Sequence, residues 1–362
     1  MSASILRLPG MIDVHVHLRD PGATHKEDFY TGTFAAISGG IVAVFDMPNN
    51  IPPIFSKNAL GEKEKIAKKK AVCDWGLYFG SNGENTEEFD KIANSVVGLK
   101  LYLGDKKNMP SQYAHVYIGD DLVVREVFQA WPKDKIIVLH AEGKYIDLAI
   151  NLSRTYGNRI HITHVSSRET LEKIIDAKKS KVKMTCDVTP HHLFLTRDDA
   201  KRLKGFGAVA PPLEDKEDVQ YLWNNLNHID CIATDHAPHT REEKEQNNPP
   251  FGLPGLETAL PLLLTAFHNG RLSLEDIVRL TSTSPAKIFG IPLDKKTWVE
   301  VDTNQTYVIE NRNLKTTCGW SPYNGWKVRG KIKRVFIRGT KVFEEGNLLV
   351  APGFGINLFP EE

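Results

Sequence analysis

A chain of 362 residues with 41% hydrophobic and 25% charged side chains has the balance of a folded globular protein, long enough for one large domain with an appendage. Its 46 basic and 45 acidic residues nearly cancel, to a net charge of +1, which excludes a global field drawing it to nucleic acid or an anionic membrane. No apolar run approaches the roughly 20 residues that cross a bilayer, no basic-then-apolar leader opens the chain, and Cys73, Cys186, Cys231 and Cys318 lie too far apart for a metal knuckle or a disulfide framework; a reducing, cytoplasmic setting is expected.

From the N-terminus onward, short β-branched runs alternate with amphipathic ones. Strands are expected at residues 12–18, 41–47, 75–80, 98–103, 136–141, 159–165, 182–188 and 231–236. Helical patterns fall between most of them, at 27–38, 57–70, 145–155 and 168–178. The Lys-rich stretch 62–70 also carries Glu, Ile and Ala, and reads as the wet face of a helix rather than a binding patch. Eight strands with crossover helices close most simply into a (β/α)8 barrel of the TIM type. An open doubly wound sheet competes, but no G-x-G-x-x-G follows any strand. After Gly255 the pattern is helical to about Phe289, and then strands joined by Asn- and Gly-containing turns take over. The expectation is an α/β fold: a barrel over residues 11–294 and a small β module built from 1–10 and 295–362.

Metal-ligand residue types fall at or near the ends of these strands, where barrels place their chemistry. His15 and His17 close the first strand with i, i+2 spacing, which turns both to one face and Val16 and Leu18 to the helices. Alone, H-x-H also fits a structural pair. Lys100 stands among apolar residues of the fourth strand, where a lysine needs a partner; it is either a snorkelling or ion-paired lysine, or one carbamylated by CO2 into a ligand that bridges two metals. His140 ends the fifth strand and His164 lies near the end of the sixth, with His161 placed on the opposite side by parity and read as structural. Asp235 ends the eighth strand, where a carboxylate can bind metal and accept a proton from water. His236 has the wrong parity for the mouth and is expected to support from behind, whereas His239, beyond a proline turn, could reach a substrate. The order H-x-H, Lys, His, His, Asp across five strands suits a two-metal site, with zinc the natural ion for imidazole and oxygen ligands.

At these residues the sequence resembles the amidohydrolase superfamily and, within it, the dihydroorotases, above all the dihydroorotase domains of animal multifunctional pyrimidine-synthesis proteins. The resemblance rests on Asp13-Val14-His15-Val16-His17-Leu18-Arg19-Asp20-Pro21-Gly22, Met47-Pro48-Asn49, Pro190-His191-His192-Leu193 and Asp235-His236-Ala237-Pro238-His239, and it covers nearly the whole chain. It implies a zinc held by His15, His17, carbamylated Lys100 and Asp235, and a second held by Lys100, His140 and His164. It implies Asp235 as the proton shuttle, Arg19, Asn49 and His239 on the substrate carboxylate, and the backbone at Pro254 and Gly255 on the pyrimidine ring. The reaction implied is the reversible closure of carbamoyl aspartate to dihydroorotate in pyrimidine synthesis, by a homodimer that could associate with aspartate transcarbamoylase.

The Arg19–Asn49 pair separates this reading from hydantoinases, and the Leu18–Arg19 pair after H-x-H from allantoinases. Two departures favour a competing reading, a catalytically weak homologue kept as a scaffold. Ala210 stands where family members carry an arginine or asparagine for the substrate carboxylate, and Lys106-Lys107 replaces the Thr-Phe pair of a closing loop. The complete ligand set argues against a pure scaffold.

Overall fold

The computed structural model describes residues 5–105 and 114–361; the expected lid pair Lys106-Lys107 lies outside them. In chain order the strands are β1 (Ile5–Pro9), β2 (Met11–Val16), β3 (Ile41–Asp46), β4 (Asp74–Leu77), β5 (Phe79–Gly80), β6 (Leu99–Leu103), β7 (Tyr117–Ile118), β8 (Ile136–His140), β9 (Arg159–Ile162), β10 (Met184–Val188), β11 (Cys231–Ile232), β12 (Trp298–Val308), β13 (Lys327–Ile337), β14 (Thr340–Glu344) and β15 (Asn347–Leu348). One parallel sheet runs β11-β10-β9-β8-β6-β5 and another runs β2-β3-β4. The extended segment 74–80 carries β4 into β5, and the Val16–His236 bridge, with His17 N–H donating to the His236 carbonyl at 2.8 Å, joins β2 to the stretch after β11. The ring is thereby closed, an eight-stranded parallel barrel.

Strand alternation sorts the side chains. Leu99, Leu101, Leu103, Ile160 and Ile162 join the main core under the helices, with Val16, Leu18 and Phe29. Ile12, Val14, Phe45, Tyr78 and Val138 fill the barrel interior, which Ile288 and Phe289 plug from the end opposite the mouth. The helices form where caps and apolar stripes coincide. In Lys57–Lys70, Ser56 caps the start and three lysines end it, while Leu60 and Ala67 face the core. Arg168–Lys179 repeats this with Ser167 as cap and Leu171, Ile174 and Ile175 buried.

The remaining strands build an antiparallel five-stranded sheet in the order β1-β12-β13-β14-β15. β1 pairs with β12 from Ile5↔Asp302 to Pro9↔Trp298. Val299, Val301, Ile332 and Val335 of this sheet share the main core with Leu260, Leu263 and Leu264 of the barrel-side helix. No described helix is long and apolar enough to cross a membrane.

Several strands end earlier than the sequence suggests. β9 stops at Ile162 and β11 at Ile232, so His164 and Asp235 lie on the loops just beyond, each with positive φ (40° and 45°). This corrects the parity expectation for His161. His161 registers with Val138 and Val138 with Lys100, so His161 points into the barrel like Lys100. His164 also turns inward because the left-handed backbone after Ile162 breaks the alternation.

Candidate active site

Strands β2, β6 and β8 carry His15, Lys100 and His140, and the loops after β2, β9 and β11 bring His17, His164 and Asp235 beside them, all buried. His15 Nε2 and His17 Nε2 are 3.2 Å apart, and each is 3.1 Å from Asp235 Oδ1. His140 Nδ1 lies 2.9 Å from His164 Nε2. Burial first, then the positive charge of Lys100, holds His15 well below the ordinary imidazole value; burial and the Arg19 charge do the same to His17. His164 is lowered by burial and by its neighbour His140, and His140 falls to about 3 for want of solvent. Neutral imidazoles are the metal-binding form. Asn49 Oδ1 accepts from His17 Nδ1 at 2.7 Å, which leaves the Nε2 lone pair aimed at Asp235 and His15.

Three lysines are buried in this half of the molecule, and they differ in partners. Lys63 donates to the Met47 carbonyl at 2.7 Å, to Asn50 Oδ1 at 2.7 Å and to Asp46 Oδ2 at 2.5 Å. Lys244 donates to three backbone carbonyls. Lys100 has one hydrogen-bond partner among the described residues, Thr163 Oγ1 at 3.2 Å. Burial drives the Lys100 amine pKa down, opposed by Asp235 and Asp187, and drives the Asp235 carboxyl up, opposed by Lys100. The Lys100 amine thus sits between two histidine groups with no strong ion pair among the described residues. His15, His17 and Asp235 form a group able to hold one cation, their ligand atoms all within 4.8 Å of one another. The residues present therefore fit a metal.

Arg19, also at positive φ (62°), lines the cavity above this cluster. Its Nε donates to the Pro238 carbonyl at 3.2 Å and its Nη2 lies 3.1 Å from His239 Nε2. The Nε bond pins that corner of the guanidinium and leaves the Nη1 hydrogens free for a carboxylate. His239 itself is fully buried and is held by Lys26 Nζ at 3.2 Å and the Phe251 carbonyl at 3.0 Å. Ala210 lines the same cavity and offers no polar side chain there. Pro254 and Gly255 sit behind this wall beside His236, and the Gly255 N–H is donated to His236 Nδ1 at 3.1 Å; Phe251 and Gly252 face the cavity instead. Tyr102, Val116 and Tyr117 complete the lining and escaped the sequence reading. Tyr102 was within reach of it, since i, i+2 parity from Lys100 turns both inward.

The model of the amidohydrolase family matches residues 6–342. The "Dihydroorotase" of Pyrococcus abyssi is 41% identical over 95% of this chain and 85% of its own length. The chain belongs to the dihydroorotase branch of the amidohydrolase family. The "Multifunctional protein CAD" of Squalus acanthias is 44% identical over 98% of this chain, which spans only 16% of that much longer relative. Among solved structures, the L-hydantoinase of Arthrobacter aurescens superposes with a TM-score of 0.91 at 29% identity, covering 97% of this chain and 88% of its own. For an amidohydrolase a bound metal, commonly zinc, is implied, and the histidine–aspartate group at the mouth is where it would sit.

Proposed function

We propose that this chain is a metal-dependent dihydroorotase that interconverts dihydroorotate and carbamoyl aspartate in pyrimidine synthesis. The observation that carries the reading is the placement of the pinned Arg19 fork over the His15–His17–Asp235 group. A cyclic amide with a ring carboxylate is the substrate that needs both.

His15, His17, Lys100 and Asp235 would hold one zinc, and Lys100, His140 and His164 a second, with Lys100 serving both as its carbamate. Bound zinc supplies Lewis acidity, polarising the ring carbonyl and lowering the pKa of water within reach. The chain's own part begins at Lys100, whose neutral amine adds CO2 and releases one proton. Arg19 takes the substrate carboxylate through its free edge, and the Asn49 amide nitrogen, its oxygen already engaged by His17, assists. Asp235, as a carboxylate, accepts the proton of the attacking water and returns it to the departing ring nitrogen. Ring closure runs the same transfers backward and consumes a proton, so low pH favours dihydroorotate and high pH the open acid. The deep imidazoles stay neutral, so each keeps one ring nitrogen with its lone pair available.

The deciding experiment offers the purified, zinc-supplemented protein dihydroorotate, hydantoin and allantoin in parallel. Turnover of dihydroorotate well above the other two is expected. Faster turnover of either competitor would move the chain to another cyclic amidohydrolase activity, and no turnover of any would favour the scaffold reading.

A further inference from the structure

Lys244 plays no part in the chemistry above. It ends a short helical turn, Arg241–Lys244, that Thr240 and Glu243 cap reciprocally. Its side chain is only 1% exposed, and among the described residues it makes no ion pair. Its Nζ lies 2.9 Å from the Ala208 carbonyl, 2.8 Å from that of Pro250 and 3.0 Å from that of Gly252. An ammonium has three N–H donors, and three carbonyls use them all; a neutral amine would leave one carbonyl without a donor. Burial and the Arg19 charge pull this lysine down to about 7, opposed by the Glu243 carboxylate; the protonated form is the one whose donors match the three carbonyls.

The three carbonyls belong to two loops that lack helix or strand. Ala208 leads into Val209 and Ala210, while Pro250 and Gly252 flank Phe251. Val209, Ala210, Phe251 and Gly252 all line the cavity that holds Arg19 and the metal-ligand group. Apart from Lys244, the hydrogen bond that joins these loops among the described residues is the Gly252 N–H to the Ala208 carbonyl at 3.1 Å. There is no slack behind the lysine either: a Cβ added at Gly205 would stand 1.8 Å from the Lys244 carbonyl oxygen.

We propose that Lys244 is a positioning residue whose ammonium clasps the 208–210 and 250–252 loops together, fixing the cavity wall against which the substrate ring lies. The ring's identity rests on the dihydroorotase reading; the clasp does not. Lacking the ammonium, each carbonyl loses a buried donor, and the two loops separate or take in water.

The test compares Lys244→Met with the unmodified protein, both zinc-loaded, by amide hydrogen exchange and by steady-state kinetics with dihydroorotate. Expected are exchange at least about tenfold faster in both loops together, a KM raised about tenfold or more, and a kcat within about threefold, with metal content unchanged. Lys244→Gln, which keeps two donors, should fall between the two proteins, and it carries the comparison if the methionine variant does not fold. A lysine that merely stabilises the fold would lower the melting temperature and leave KM unmoved, and that result overturns the proposal. So does unchanged exchange in either loop. Should the unmodified protein fail to turn over dihydroorotate, the exchange measurement still decides the clasp by itself, while the functional reading falls.

Discussion

The mouth of the barrel and the layer of side chains just beneath it are both polar and both buried, yet their bonding differs. In the lower layer His161, Asp187, Asp13 and Thr234 are bonded to one another and to the backbone around them. His161 reaches Thr185 Oγ1 at 2.8 Å and Asp187 Oδ2 at 2.9 Å, and the other Asp187 oxygen accepts the His164 N–H at 2.7 Å. Asp13 accepts the N–H groups of His15 and Thr234 and the Thr234 hydroxyl. At the mouth, by contrast, imidazole nitrogens crowd one another and a carboxylate, and among the described residues Lys100 meets a single hydroxyl and Tyr102 Oη has no partner. Buried polar groups are normally satisfied. A satisfied layer holds the backbone in place; the one directly above it fits the metal site proposed above.

That contrast can be attacked from either side. The largest effect is expected at the mouth. Lys100→Ala should strip most of the bound metal and reduce turnover by more than about 100-fold, with the melting temperature of the metal-free protein nearly unchanged, because this amine contributes little bonding to the fold. Metal analysis beside kinetics checks it, and full metal occupancy in the variant would return Lys100 to a structural role. In the lower layer the pattern should invert. His161→Gln breaks a buried, doubly bonded imidazole and should cost about 2–4 kcal/mol in urea unfolding, while metal content stays near that of the unmodified protein. If it instead lost metal without losing stability, the two layers would not be distinct.

A comparable effect, confined to one pH window, is expected at Glu257, beside Lys315 and Thr316. Burial raises its carboxyl to about 7 against the pull of the Lys315 and Thr316 N–H groups. The folded chain thus holds this proton more tightly than the unfolded one, whose carboxyl titrates near 4.5. The stabilisation is complete below that value and lost as pH climbs through about 7, a decline of up to about 3 kcal/mol. Glu257→Gln cannot titrate, so unfolding curves over that window should show its stability falling less steeply than the parent's by that amount.

Much of this was legible in the residue order. The alternation of β-branched and amphipathic runs shows the barrel because each strand needs an apolar outer face, as Leu99, Leu101 and Leu103 supply. No single candidate ligand stood out, since H-x-H and a strand lysine also fit structural roles; the order H-x-H, Lys, His, His, Asp across five strands made them legible. What escaped detection depends on where strands stop. With β9 ending at Ile162 and the next turn at positive φ, parity gives the wrong side for His161, although its structural role survives. Lys244 was invisible for another reason. In Arg241-Glu242-Glu243-Lys244 it reads as one more wet charge, and only the return of the chain at 208 and at 250–252 surrounds it with carbonyls.

The central claim, that the unsatisfied mouth is a metal site which opens and closes the dihydroorotate ring, has one most direct measurement. Dihydroorotate turnover is followed in the purified protein as it stands, after removal of metal with a chelator, and after zinc is returned. Activity should vanish with the metal and come back in proportion to the zinc rebound at His15, His17 and Asp235 and their neighbours. Turnover that persists undiminished in protein shown to be free of metal would contradict it.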